Sequence, residues 1–270
     1  MGFGVQSVTV AAMACLGDLP RPDFAVFADP QWEGARTYSY ARWFTAWAAE
    51  RGLRIITAKS PSHIAVDALD AKKRWASMPL WTLGKDGKPA MLRRQCTREY
   101  KIQVVARTIR QELGLQPRQR VKVPVTVWLG ISLDEVTRIK PSRIGWLRNA
   151  WPLVGMYEGE KRAVHSDPAP RAIRRSDCVE YLRAKGIPVP PKSACIGCPY
   201  RSDRGWAYMK KHRADEFSAA CSFDNNVRRV RPGVRSPVYL HRSLTPLETV
   251  NFGEDHPDMF DDECEGYCGL

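Results

Sequence analysis

The stretch KSACIGCPYRSDRGW places Cys195 and Cys198 two residues apart. Two thiolates at that spacing can grip one metal ion or one iron–sulfur cluster. They can also cycle as a redox dithiol, or be two buried structural thiols. Cys178, in RRSDCVEYLRAKG, lies a modest connection upstream on or before a helix and is a further candidate ligand. Cys221, in SAACSFD, reads as a buried thiol or a replacement ligand, and Cys15 as core. The end of the chain, FDDECEGYCGL, carries Cys264 and Cys268 among acids. Those two thiols could be nucleophiles, an accessory metal site or a clasp. Acidic neighbours raise a thiol pKa unless arginines approach in the fold.

The chain opens MGFGVQS and continues at once into the apolar helical pattern VTVAAMACL. Backbone N–H groups at a helix N-terminus carry partial positive charge, and glycine lets a backbone approach a phosphate without a Cβ clash. Gly2 and Gly4 offer that approach, and the Ser7 hydroxyl can donate a hydrogen bond. The other reading is a plain, flexible start to a helix. A phosphate-cradling turn normally hangs off a β-strand. None precedes this one in the sequence, so a missing N-terminal stretch is expected.

The elements that must hold these residues alternate. A helix is expected over about 7–16, and FAVFAD is a short buried strand ending at Asp29. TYSYARWFTAWAAERG is an amphipathic helix closed by Gly52, and LRIITAK a second strand. WTLGKDGKPAML suggests a hairpin around Asp86–Gly87. A long helix follows from about Cys96, and VPVTVWLG is a strand ending at Gly130. Alternating β and α predicts an α/β fold with a doubly wound parallel sheet. Past residue 155 prolines increase and strands become hard to find. The expected division is a nucleotide-binding core over 1–155 and a cysteine-rich C-terminal lobe over 156–270.

The 270 residues carry a formal charge of +13, which points to an anionic partner, either a nucleotide or a nucleic acid. A solvated basic surface is the blander reading. No apolar run reaches membrane-spanning length and no signal-peptide pattern is present, so a cytoplasmic protein with no membrane partner is expected. Clustered cysteines in that compartment suit metal or redox chemistry better than disulfides. The histidines show no ligand spacing. His241-Arg242 could meet a phosphate, and Trp75 and Trp81 could stack on a base, although core packing is the commoner use of tryptophan.

Four stretches, in order, carry a resemblance. Phe3-Gly4-Val5-Gln6-Ser7 is similar to the modified PP-loop of the 3′-phosphoadenylylsulfate (PAPS) reductase family, within the adenine nucleotide alpha-hydrolase superfamily. Gln6 falls where the ATP pyrophosphatase relatives have Asp. FADPQWE resembles the family's strand-end D-T-G-x-x-x-P-E segment at Asp29 and Glu33, and departs from it at Pro30 and Gln31. RRQCTREYK resembles C-C-x-x-x-K at Cys96 and Lys101, with Gln95 in place of the first cysteine. GISLDEVTR resembles G-I-R-x-x-E-S-x-x-R at Gly130, Glu135 and Arg138, with Ser132 in place of the first arginine. The resemblance covers about half of the chain.

It implies an adenine nucleotide (PAPS, adenylylsulfate or ATP with Mg) held by Gly2, Phe3, Gly4, Gln6, Ser7, Asp29, Gly130 and Arg138. It makes Cys96 a ligand beside Cys178, Cys195 and Cys198, four thiolates that suit a 4Fe-4S cluster, with structural Zn as the alternative. Glu263-Cys264-Glu265-Gly266 and Tyr267-Cys268-Gly269-Leu270 each match in part the family's nucleophilic E-C-G-[IL]-H motif. They imply catalytic roles for Cys264 and Cys268, with a thiol or redox protein as electron donor. Relatives that adenylate and thiolate tRNA, or phosphorothioate DNA, imply the alternative of an ATP-dependent sulfurtransferase with a tRNA or DNA partner. A non-catalytic nucleotide- or nucleic-acid-binding relative is the third reading.

Overall fold

The computed structural model describes residues 1–70, 72, 78–158, 172–228 and 236–253. The chain folds into two compact units that interleave along the sequence. The first takes Met1–Ala28, Ala35–Ala58 and Val105–Ser193. The second takes Asp29–Gly34, Lys59–Val104 and the described part of Ala194–Leu270. The expected boundary at 155/156 is therefore not where the chain divides. Residues 175–193 stay with the N-terminal helix because their helix packs on it, and residues 59–104 join the cysteine-rich part.

In the first unit α1 (Val5–Leu16) is buried on nearly every side and ends at Gly17, whose φ of 84° is the left-handed region glycine favours. It packs against α2 (Ala35–Ala49) and α5 (Arg175–Ala184). Phe3, Val8, Phe44, Leu53, Leu153 and Leu182 form the centre of this core. Two parallel strands, β1 (Ala25–Asp29) and β2 (Ile55–Lys59), lie side by side. Ala25 N donates to Arg54 O at one end, and Ser60 N to Asp29 O at the other. A second sheet joins β5 (Val125–Trp128) in parallel to β6 (Leu147–Trp151), with β7 (Met156–Tyr157) antiparallel to β6.

In the second unit β3 (Trp81–Leu83) and β4 (Pro89–Met91) make the expected hairpin, turned at Gly87 with φ 75°. β8 (Val238–Tyr239) pairs on the other side of β3. α3 (Ile64–Leu69), α6 (Asp203–His212) and α7 (Ala214–Val227) pack with them around Trp206, Met209, Leu80 and Leu240. The helix expected from Cys96 begins as a π-helical turn, Arg98–Ile102, and continues as α4 (Gln103–Glu112).

The architecture is thus mixed α/β. The described strands form three small sheets, one parallel pair, one mixed and one antiparallel, and do not by themselves make up the doubly wound parallel sheet expected from the alternation. The strands are two to five residues long. No helix among the described residues is long and apolar enough to cross a membrane.

Candidate functional site

In the first unit, Gly4 is the N-cap of α1, in extended conformation and with no side-chain cap on the helix. The first-turn N–H groups of α1 thus find no side-chain acceptor at that residue. Phe3 precedes it at φ 53°, a costly conformation for a bulky residue. Its side chain is fully buried, edge-on to Phe27 at 4.9 Å and Phe44 at 6.3 Å. Phe3 therefore anchors the loop from the core side and offers no side chain to a ligand, which corrects its expected place among the nucleotide contacts. The Ser7 hydroxyl bonds to Gly4 O at 3.1 Å and receives Gly2 N at 3.4 Å, so it braces the loop from inside.

The segment 130–138 packs onto this loop. A Cβ at Gly130 would lie 2.7 Å from Ser7 N and 2.8 Å from Gln6 C, so only glycine fits there. Beyond it the Gln6 amide donates to Glu135 Oε2 at 3.2 Å, and Glu135 Oε1 pairs with Arg138 at 2.5 Å. The 3-10 turn Leu133–Arg138 that carries both residues is kinked at Glu135. Four of the residues expected at the nucleotide, Gly4, Gln6, Gly130 and Arg138, thus sit in one constellation. Glu135 links them.

Asp29 belongs to the second unit. It is buried at the end of β1 and accepts Gln31 N at 2.7 Å. Gln31 takes φ 66°, the left-handed conformation that glycine adopts at no cost, and its amide donates to Ser60 O at 3.0 Å. The departure from Asp-Thr-Gly at Pro30-Gln31 thus keeps a backbone shape that glycine would favour.

The same turn positions the C-x-x-C. Ile196 N donates to Trp32 O at 2.9 Å, and Glu33 pairs with Cys195 in a single antiparallel bridge. The Trp32 ring lies over Gly197, where a Cβ would meet it at 2.3 Å. The turn is closed by Cys198 N on Cys195 O at 3.2 Å, and the Trp81 indole N–H holds Pro199 O at 3.2 Å. Trp81 therefore has a structural role, while Trp75 lies outside the described residues.

Cys96, Cys195 and Cys198 line one narrow, largely apolar pocket of the second unit, with Arg94, Lys101 and Tyr200 on its walls. Lys101 faces the buried Glu33 carboxylate at 3.8 Å. The structure therefore brings together three of the four expected ligands. The fourth, Cys178, is fully buried in the core of the first unit. Burial pushes its thiol up to about 12, against the opposing hydrogen bond of Thr9. Cys221 is likewise buried, and its thiol is pushed up to about 11 by burial and by Glu248 and Asp224. Among the described residues no three His, Cys, Asp or Glu side chains draw together as around one ion. The pocket thus fits thiolate chemistry in donor type, without a closed single-ion shell.

His241-Arg242, considered for a phosphate, is engaged elsewhere. His241 Nε2 meets Asp203 Oδ1 at 2.9 Å, and Arg242 meets Asp203 Oδ2 at 2.6 Å. Cys264 and Cys268 lie outside the described residues. Arg94, Trp32 and Gly197 were not anticipated. The glycine inside the C-x-x-C and the basic run ahead of Cys96 were the available signals. No family model, no curated protein and no solved structure matches the chain.

Proposed function

We propose that the chain is an adenine-nucleotide enzyme of sulfur chemistry, similar to the PAPS reductases. The loop Gly2–Ser7 receives phosphate or sulfate groups, and a thiolate-ligated centre at Cys96, Cys195 and Cys198 belongs to the same activity. One observation carries this reading. Gly130–Arg138, remote in sequence, closes on the loop through a contact only glycine allows and through the Gln6–Glu135–Arg138 chain. The left-handed Gln31 after Asp29 adds support, since it preserves a turn of the kind Asp-Thr-Gly would make. The doubly wound sheet of that superfamily is part of the proposal. Its support is the two parallel pairings, β1 with β2 and β5 with β6.

In this reading Cys268 or Cys264 is the nucleophile. Its thiolate attacks the sulfur of a sulfonucleotide, the bond from sulfur to phosphate oxygen breaks, and the adenosine phosphate leaves. The resulting thiosulfonate is reduced by a thiol donor, which releases sulfite and leaves a mixed disulfide. The loop N–H groups orient the phosphates, and Arg138, held by Glu135, assists. A 4Fe-4S group held by the three thiols would supply redox or Lewis-acid chemistry, whereas zinc would serve structure. Around one zinc, thiolates stand about 3.8 Å apart, given Zn–S bonds of about 2.3 Å. A cluster spreads its ligands over several irons.

The test is nucleotide binding by anaerobically prepared protein, comparing PAPS, adenylylsulfate and ATP with magnesium. Preference for a sulfonucleotide supports the reductase reading. Preference for ATP, with pyrophosphate release, moves the reading to an adenylating sulfurtransferase acting on tRNA or DNA, which the charge of +13 favours. Polynucleotide binding with neither activity would leave a binding module.

A further inference from the structure

In the first unit β5 and β6 run parallel, with Val125 opposite Leu147 and Val125 N donating to Trp146 O at 2.9 Å. The loops that lead into them, 116–124 and 139–146, therefore arrive at the same end of this sheet. The first carries Arg118, Arg120 and Lys122, the second Lys140 and Arg143, and Arg148 follows on β6, all of them exposed. From 113 to 132 and from 139 to 157 the chain has these six cations and no Asp or Glu. A surface that only has to stay in water intersperses both signs. Among the described residues none of the six is in an ion pair, and Arg148 donates only to the carbonyls of Gly145 and Leu147. The acids that border the two stretches are engaged. Glu158 accepts Ser142 N at 2.9 Å and Asn149 N at 2.8 Å, Glu112 pairs with Arg54, Asp134 accepts Arg175 N, and Glu135 pairs with Arg138.

These cations sit on a fixed frame. Arg110 of α4 donates to Gln116 O at 2.9 Å and to Gln119 O at 2.7 Å, which pins the first loop around Arg118 at φ 67°. Asn149 Nδ2 donates to Lys140 O at 3.0 Å, and Ile144 and Trp146 pack on Ala106, Ile109 and Leu147. A ligand at this end of the sheet would order little new chain, which lowers the entropic cost of binding.

We infer that this end of the β5–β6 sheet is a docking face for the phosphodiester backbone of a polynucleotide. Six charges without a counter-ion, spread over two loops and a strand, suit a row of phosphates better than the few of one mononucleotide. Four of them are guanidiniums, whose planar fork meets phosphate oxygens in bidentate pairs. Trp146, the aromatic residue of the two loops, packs against the core, so the face grips the backbone and carries little base readout. The inference stands apart from the readings of the Gly2–Ser7 loop and of the thiols.

The test titrates the full chain against two labelled probes of arbitrary sequence, a DNA duplex of about 20 base pairs and an RNA hairpin, over about 50–200 mM salt. R118Q/R120Q/K122Q and K140Q/R143Q are compared with R42Q/K85Q/K88Q, which removes charge from exposed positions elsewhere. Thermal unfolding checks each fold, and the second loop variant supplies the reading if the first does not fold. R118Q/R120Q/K122Q should bind at least about tenfold more weakly at low salt, with a slope on duplex DNA flatter by about 0.9 per lost contact. K140Q/R143Q should lose several-fold, and R42Q/K85Q/K88Q should stay close to the parent. Any mononucleotide binding should be the same in all four proteins. Loss on either probe supports the face, and the probe held more tightly names the source of the phosphates. Parent-like binding by the folded loop variants, or an equal loss in R42Q/K85Q/K88Q, would overturn the face and leave bulk charge. A parent chain that binds neither probe would also overturn it, whether or not it takes anionic lipid vesicles or polyglutamate instead.

Discussion

At the residue scale, two positions separate packing from chemistry. Cys178 lies within α5 and Cys195 in the C-x-x-C turn beyond it, and one is sealed in a core while the other opens on a pocket. Cys178→Ala should cost about 1 kcal/mol of stability as a small cavity and leave metal content unchanged. Cys96→Ser, Cys195→Ser and Cys198→Ser should each lower iron or zinc per chain severalfold, read by elemental analysis of anaerobic protein. Retention of metal in all three would remove the centre. Gln31 offers a second contrast. At φ 66° Gln31→Gly should change stability by less than about 1 kcal/mol, since relief of the left-handed backbone offsets the lost bond to Ser60. Gln31→Val, β-branched and without the amide, should lower the unfolding midpoint clearly below both.

At the element scale, the two sites are held by contacts between segments far apart in sequence. Gly130→Ala would push the end of the β5 connection into the loop backbone, at 2.7 Å from Ser7 N. We expect nucleotide affinity to fall at least tenfold, about 1.4 kcal/mol, with metal content unaffected. Unchanged affinity would detach the loop from nucleotide binding. In the second unit, Asp224 in α7 accepts Leu240 N at 2.7 Å, Leu247 N at 3.1 Å and the Arg228 guanidinium at 2.7 Å, with no exposure to water. Asp224→Ala strands those donors and should cost about 3 kcal/mol in denaturant unfolding. Asp203, at the start of α6, is the pH-sensitive member. Burial pushes its carboxyl up, but the His241 hydrogen bond and the Arg242 charge together outweigh burial and hold it below 3.8. Its contribution is therefore present above that value and lost as pH falls through the lower folded one. Asp203→Asn should lower the unfolding midpoint at neutral pH, and the gap from the parent should close in acid. A gap that persists in strong acid would assign the loss to packing.

At the scale of the whole molecule, charge and interleaving matter most. With a net charge of +13, any binding to tRNA or DNA should weaken steeply with salt. Six phosphate contacts would cost about a thousandfold between 50 and 200 mM. A salt-insensitive affinity would argue against a polynucleotide partner. The two units each carry one site, the loop in the first and the thiol pocket in the second. Gly130→Ala and Cys195→Ser should therefore each impair one binding event and spare the other. The chain crosses between the units several times, so neither unit is a contiguous stretch that could be cut out and tested alone.

Local pattern carried much of the element list. The apolar runs 25–29 and 55–59, the glycine stop at Gly52, and the Asp86–Gly87 hairpin were all legible, because strand pattern, helix closure and turn chemistry depend on neighbours in sequence. The pairing of thiols at Cys195 and Cys198 was legible for the same reason. What sequence could not decide was set by contacts across long separations. The described strands sort into three small sheets, since alternation along the sequence does not say which strand pairs with which. Phe3 turned from ligand contact to anchor because its ring found Phe27 and Phe44. Cys178 left the ligand set because α5 packs that face on α1. Arg94 entered the site because the fold closed a pocket around its charge. A residue type states what chemistry is available, and burial with its partners, which only the tertiary structure supplies, decides whether that chemistry is used.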